Sequence, residues 1–149
     1  LLLDLFPDAR FVHIHRHPFE VFRSYHRSAQ IMATMLQLQV DPMTAFDERI
    51  IEQYRRMYDA FFEEKALIPE GRFVEIGFGD LEREPMEQLA KIYSGVDLPA
   101  FGSAVPRVEQ YLKSISGYRK SRLPEFDTAL RDRITMVWGR FFEAWGYQG

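Results

Sequence analysis

The hydrophobic period of the chain changes at Pro18. Before it, Phe11, Val12 and Ile14 in RFVHIH (10–15) read as a short strand. After it, Val21, Phe22, Tyr25, Ala29, Met32 and Leu36 recur at helical spacing, a stripe that continues to about Leu38. A second strand pattern, RFVEIGF, stands at 72–78, and the residues between the two strands are nearly all helical in pattern. Two strands joined by that much helix are expected side by side and parallel. Such a link needs a dozen or more residues and is overwhelmingly right-handed. The alternation predicts an α/β fold with ligands beyond the C-terminal ends of the strands.

The remaining elements follow from the same reading. Leu1–Phe6 is a helix ending before Pro7. Asp41-Pro42 breaks the helix after Pro18. A second long helix follows Thr44, with Phe46, Ile50, Ile51, Tyr54, Met57, Tyr58, Phe61 and Phe62 at helical spacing, its aromatics inward and its polar side charged. Pro69-Glu70-Gly71 is a turn. Helices are predicted near 86–94, 108–115 and 126–145, with a loop over 98–106. Met32 and Met35 are expected in the core.

The strand–helix junction carries the most chemistry. Arg16 closes the strand, Pro18 suits a first helical turn, and Ser24 stands eight residues after Arg16. Ser24 would lie some 8–9 Å along the helix axis at most. A helix N-terminus offers unpaired N–H groups and the positive end of a dipole. Arg16 adds a permanently charged fork that matches phosphate oxygens. The arrangement suits an anion. Arg23 and Arg27, four apart beside Ser24, face either that anion or water. His13, His15 and His17 alternate, which raises zinc as a possibility. Pro18 breaks the series, however, and no Cys or in-strand carboxylate completes a set. No metal site is assigned.

Composition narrows the classes. At 149 residues, 46% hydrophobic and 15% aromatic, the chain is one domain with a real core and is not disordered. The absence of Cys leaves no disulfide frame or thiolate site, and a reducing, cytoplasmic location is expected. No apolar stretch approaches the ~18–20 residues of a membrane span, and no signal peptide is visible. LLLDLF reads as the end of a helix, so 1–149 is expected to be a single domain truncated at its N-terminus. A net charge of −3 argues against bulk nucleic-acid binding. Two basic islands stand out: four Arg against one Glu at 10–27, and four basic residues with no acid at 113–122. They are a site for a small polyanion or two solvated loops.

The element Arg-x-Pro-x5-Ser after a strand, with the lead-in FPDARFVHIHRHP (6–18), resembles the 3′-phosphate-binding element of sulfotransferases that use PAPS (3′-phosphoadenosine 5′-phosphosulfate). The resemblance implies that Arg16 and Ser24 both hold the 3′-phosphate. His17 departs from the pattern, where Asp or Asn is commoner. FGDL (78–81), followed by Pro85 and a helix, is similar to the family's Tyr-Glu-Asp-Leu, whose Tyr contacts the adenine. Phe78 keeps the ring and loses the hydroxyl. The island KSISGYRKSR (113–122) corresponds to a basic loop that closes on the nucleotide, which implies binding roles for Tyr118, Arg119 and Lys120, and more loosely Arg122. The likeness runs along nearly the whole chain and is strongest at 6–24.

By resemblance the fold is a P-loop-NTPase-like parallel sheet flanked by helices, here its helix-rich C-terminal part and therefore incomplete. An apolar face is expected to stay open along the first strand. The activity implied is in-line transfer of a sulfuryl group from PAPS to a hydroxyl or amine. The acceptor would be a small molecule, a carbohydrate or a peptide. Catalysis would come from positioning and charge stabilisation. In the family the loop that grips the 5′-phosphosulfate and the usual catalytic base, a His or Glu, lie upstream of Arg-x-Pro. No G-x-x-x-x-G-K-[ST] occurs here. No catalytic residue is assigned, His26 and Glu48 included. The missing N-terminal portion is the expected partner, and this piece alone is expected to be inactive. Two other classes fit the residues alone: a P-loop-like nucleotide kinase using Arg16 on another phosphate, and a non-enzymatic α/β interaction domain whose basic islands dock an acidic partner.

Overall fold

A computed structural model describes residues 2–36, 43–119 and 126–149. The elements are α1 (Leu2–Leu5), β1 (Phe11–His15), α2 (Pro18–Leu36), α3 (Met43–Glu64), β2 (Phe73–Gly77), α4 (Phe78–Arg83), α5 (Pro85–Gly95), α6 (Phe101–Ser114) and α7 (Thr128–Ala144). The chain divides into two compact units. One combines Leu1–His15 with Lys65–Ser121, the other Arg16–Glu64 with Arg122–Gly149.

The first unit is α/β. Among the described residues its sheet has two strands, β1 and β2, and they are parallel, with Phe11 opposite Phe73 and His15 opposite Gly77. Alternation sorts the side chains by face. Val74 and Ile76 of β2 pack with Ile92 and Val96, supported by Leu81 and Leu89. Val12 and Ile14 of β1 remain 42% and 44% exposed. His13, His15 and Glu75 alternate with these apolar residues and take the other face. Arg72 anchors the approach to β1, hydrogen-bonding the Pro7 carbonyl and pairing with Asp8.

The second unit is helical. Phe19 and Phe22 of α2, Ile50, Ile51 and Tyr54 of α3, and Ile134, Trp138, Phe141 and Phe142 of α7 form one buried cluster. The Trp138 Nε1–H donates to the Ile51 carbonyl at 2.9 Å, and the indole stacks on Tyr54 at 3.9 Å between centroids. Asp127 caps α7 by accepting from the Leu130 N–H. Arg133 of α7 grips Glu48 of α3 with two bonds, of 2.9 and 2.8 Å.

Two expectations need correction. The stretch 98–106 is not all loop: α6 begins at Phe101 and carries Pro106 inside it. The proline removes the bond to the Gly102 carbonyl. Gly102 is exposed, so water can satisfy that oxygen. Met32 and Met35 are exposed, not core. They lie ten and thirteen residues beyond Phe22. At about 100° per residue this rotates them roughly 80° and 140° off its buried direction. The breaker Asp41-Pro42 lies outside the described residues. Among the described residues no helix is long and apolar enough to cross a membrane.

Candidate functional site

Arg16 and Ser24 belong to the helical unit. β1 ends at His15, and Arg16 is the next residue. His17 and Pro18 follow, and α2 opens at Pro18, which is fully buried. The His17 carbonyl accepts from the Glu20 and Val21 N–H groups at 2.9 and 3.2 Å, which winds the first turn. The Phe19 N–H donates to His17 Nδ1 at 3.3 Å. Arg16 Nε donates to Glu20 Oε2 at 2.6 Å, an i,i+4 pair with both side chains over a third exposed. Ser24 lies further along the same helix, exposed, and its carbonyl accepts from Ser28 Oγ at 2.9 Å. A guanidinium and a hydroxyl on one strand–turn–helix element are thus both open to solvent, in a form an anion can reach.

Another face of α2 bears Arg23, His26 and Arg27. With Phe126 and Asp127 they line a cavity of about 390 Å³. The Arg23 guanidinium lies 5.0 Å from the centre of the Phe126 ring. His26 Nε2 stands 3.1 Å from Asp47 Oδ1. Burial pushes the Asp47 carboxyl up, and His26 beside it opposes that shift. Glu48 is held by Arg133, which lowers its carboxyl below the usual range. That shift makes Glu48 a poorer base.

Phe78, Tyr118 and Arg119 belong to the α/β unit. β2 ends at Gly77, one residue earlier than the pattern predicts, and Phe78 opens α4 half-buried. Gly77 has little room: a Cβ there would meet Asp80 Oδ2 at 3.0 Å and His15 Cε1 at 3.4 Å. Tyr118 and Arg119 follow α6, both exposed. Lys120 and Arg122 lie outside the described residues. On the sheet, His13 Nδ1 meets Glu75 Oε1 at 2.8 Å, and Lys65 Nζ lies 3.6 Å from Glu75 Oε2. His13 therefore has a carboxylate partner in the neighbouring strand. Burial pushes the His15 imidazole below its ordinary value, against the nearby Glu75.

Sequence reasoning missed two contacts of the anion element. Glu20 as the partner of Arg16 was visible in the i,i+4 spacing. The capping bond of His17 was not, because histidine is an uncommon cap.

The sequence profile described as the sulfotransferase family matches residues 1–102. Two curated relatives, from Mycobacterium bovis and Mycobacterium tuberculosis, are named omega-hydroxy-beta-dihydromenaquinone-9 sulfotransferase Stf3. Each is 29% identical over 147 residues, covering 99% of this chain and 38% of its own length. The chain thus spans about two-fifths of these relatives. The crystal structure of sulfotransferase STF9 from Mycobacterium avium superposes with a TM-score of 0.74 at 19% identity, over 99% of this chain and 38% of that one. It shares the α/β, P-loop-like fold seen here. The profile match, extending over more than half of the residues, shows that the chain belongs to the sulfotransferase family.

Proposed function

We propose that the chain supplies the 3′-phosphate- and adenosine-binding part of a PAPS-dependent sulfotransferase. The observation that carries the reading is Arg16 at the exit of β1 with Ser24 on α2, both open to solvent, in a chain of this family. Arg16 would bind the 3′-phosphate through charge-assisted bonds, and Ser24 would add a hydroxyl. Phe78, Tyr118, Arg119 and Lys120 would hold the adenosine and close over it. Fixing the nucleotide at that end orients the sulfuryl group for in-line attack, which supplies catalysis by positioning. The grip on the 5′-phosphosulfate and the removal of the acceptor proton are assigned to no residue of these 149. The chain alone is therefore proposed to be inactive. A hydroxyl is the favoured acceptor group, since the Stf3 relatives are named for an omega-hydroxy compound.

The test is isothermal titration of adenosine 3′,5′-bisphosphate and AMP into the full-length protein and its Arg16→Ala variant. A charge-assisted bond contributes about 1.5–3 kcal/mol. Two of them predict a preference for the bisphosphate of about a hundredfold or more. Arg16→Ala should remove most of that preference and leave AMP binding nearly unchanged. Equal affinities in the unmutated protein would sink the reading.

A further inference from the structure

We infer that His17 is a positioning residue for the anion site: its imidazole, packed among Phe19, Phe142 and Tyr147, caps α2 and so sets the turn that carries Arg16. This rests on the 3′-phosphate reading above. An N-cap accepts from the N–H of the second or third helical residue, ordinarily through a side-chain oxygen. Pro18 is the first residue of α2 and Phe19 the second. The 3.3 Å bond from the Phe19 N–H to Nδ1 is therefore a capping bond made through a ring nitrogen. Where the family pattern has Asp or Asn, this chain makes the bond through an imidazole nitrogen.

The ring is held from its far side as well. Since Nδ1 accepts, Nε2 carries the proton of the neutral imidazole. Its centroid lies 5.0 Å from that of Tyr147, 5.7 Å from Phe142 in an edge contact, and 5.5 Å from Phe19. An imidazole enclosed in this way has little rotamer freedom. Arg16 is the preceding residue, and its Nε is bonded to Glu20 within the turn that His17 caps. Losing the cap frays that turn and lets the guanidinium drift with it.

Only the neutral ring can do this. Protonated Nδ1 would point a hydrogen at the Phe19 N–H, donor against donor. The charged groups around the ring are Glu20 and Arg23 from α2 and Arg131 from α7. Burial and the two arginines push the imidazole below its ordinary value, and Glu20 opposes them. The cap is therefore intact at neutral pH and is lost in mild acid.

The experiment measures the preference of the full-length protein for adenosine 3′,5′-bisphosphate over AMP in the parent, Arg16→Ala, His17→Ala and His17→Asn. At pH 7.5 His17→Ala should lose about fivefold of the preference, the effect of one lost cap. His17→Asn, which can cap through its oxygen, should return to within about twofold of the parent. A pH series adds a readout that a merely structural role would not move. The phosphate itself titrates near pH 6 and weakens binding in every variant alike. As pH falls through the depressed titration of the ring, which lies below the ordinary histidine value, the parent should lose a further severalfold that His17→Asn does not.

An unchanged preference in His17→Ala would overturn the inference, as would His17→Asn no better than His17→Ala, or superimposable pH profiles for the parent and His17→Asn. Arg16→Ala separates the two levels. If the parent shows no preference, or Arg16→Ala retains it, the 3′-phosphate reading fails. If Arg16→Ala loses the preference and His17→Ala keeps it, only the role of His17 fails. Should His17→Ala not fold, the pH comparison of the parent with His17→Asn decides alone.

Discussion

Replacing Gly95 by Ala should destabilise the α/β unit, although Ala is the better helix former. Gly95 is the last residue of α5, and Val74 of β2 is pressed against it. A Cβ on Gly95 would lie 2.2 Å from Val74 Cγ2 and 3.6 Å from Val74 Cβ. Carbon atoms rest about 3.5–4.0 Å apart, so the first contact is too close by more than about 1 Å. Val74 is β-branched and buried with Ile76, Ile92 and Val96, which leaves few rotamers to retreat into. Overpacking of this kind costs about 1–3 kcal/mol. Against it stands a helix-propensity gain of at most about 1 kcal/mol, smaller at a final residue. The expected net loss is about 1–2 kcal/mol, or roughly 2–8 °C in Tm. Urea denaturation followed by circular dichroism measures it. The double variant Gly95→Ala/Val74→Ala tests the cause, because removing Cγ2 should make the new methyl nearly harmless. A Gly95→Ala protein as stable as the parent would refute the reasoning. So would strict additivity of the two changes, which would mean that the atoms do not meet.

Two further outcomes follow from the same contacts. Trp138→Phe removes the donor to the Ile51 carbonyl and part of a fully buried ring, and should cost about 2–4 kcal/mol in urea denaturation; a cost under about 1 kcal/mol would show that the site collapses freely. Below pH 6.5 stability should fall, because burial depresses the folded-state pKa of His15. The unfolded chain then binds the proton first, and unfolding gains from each step down in pH until the folded value is passed. His15→Gln should flatten that slope between pH 7 and 5.5, and an unchanged slope would assign it elsewhere.

The frame of the fold was legible because its signals are local. RFVHIH and RFVEIGF alternate, the residues between them keep a helical stripe, and the parallel pairing of β1 with β2 follows from the length of that link. Pro106 misled because a single breaker says nothing of what satisfies the carbonyl behind it. Met32 and Met35 misled because a stripe read over five turns drifts around the helix, and only its first turns meet the core. At the candidate site, Arg16 and Ser24 were readable from spacing and residue type. The neighbours that fix them were not all so. Glu20 is one turn away and could be found. The environment of His17 is assembled from Phe142 and Tyr147, which no local pattern connects to it. The Glu75 partner of His13 likewise depends on the register of two strands 62 residues apart.

That same separation has a consequence for how the chain is made. Neither compact unit is a continuous stretch: the α/β unit takes residues from both sides of the α2–α3 excursion, and the helical unit waits for α7. During synthesis at about 5–20 residues per second, β1 stands without β2 for roughly 3–12 s. Its edge and its Val12–Ile14 face are open to other nascent chains over that interval. Bringing the strands together then closes a loop of 62 residues, at an entropic cost of about 3–4 kcal/mol beyond the constant term. Interleaving of this kind makes assembly slow and non-local, so the yield of native protein should respond to translation speed and to chaperones that shield strand edges.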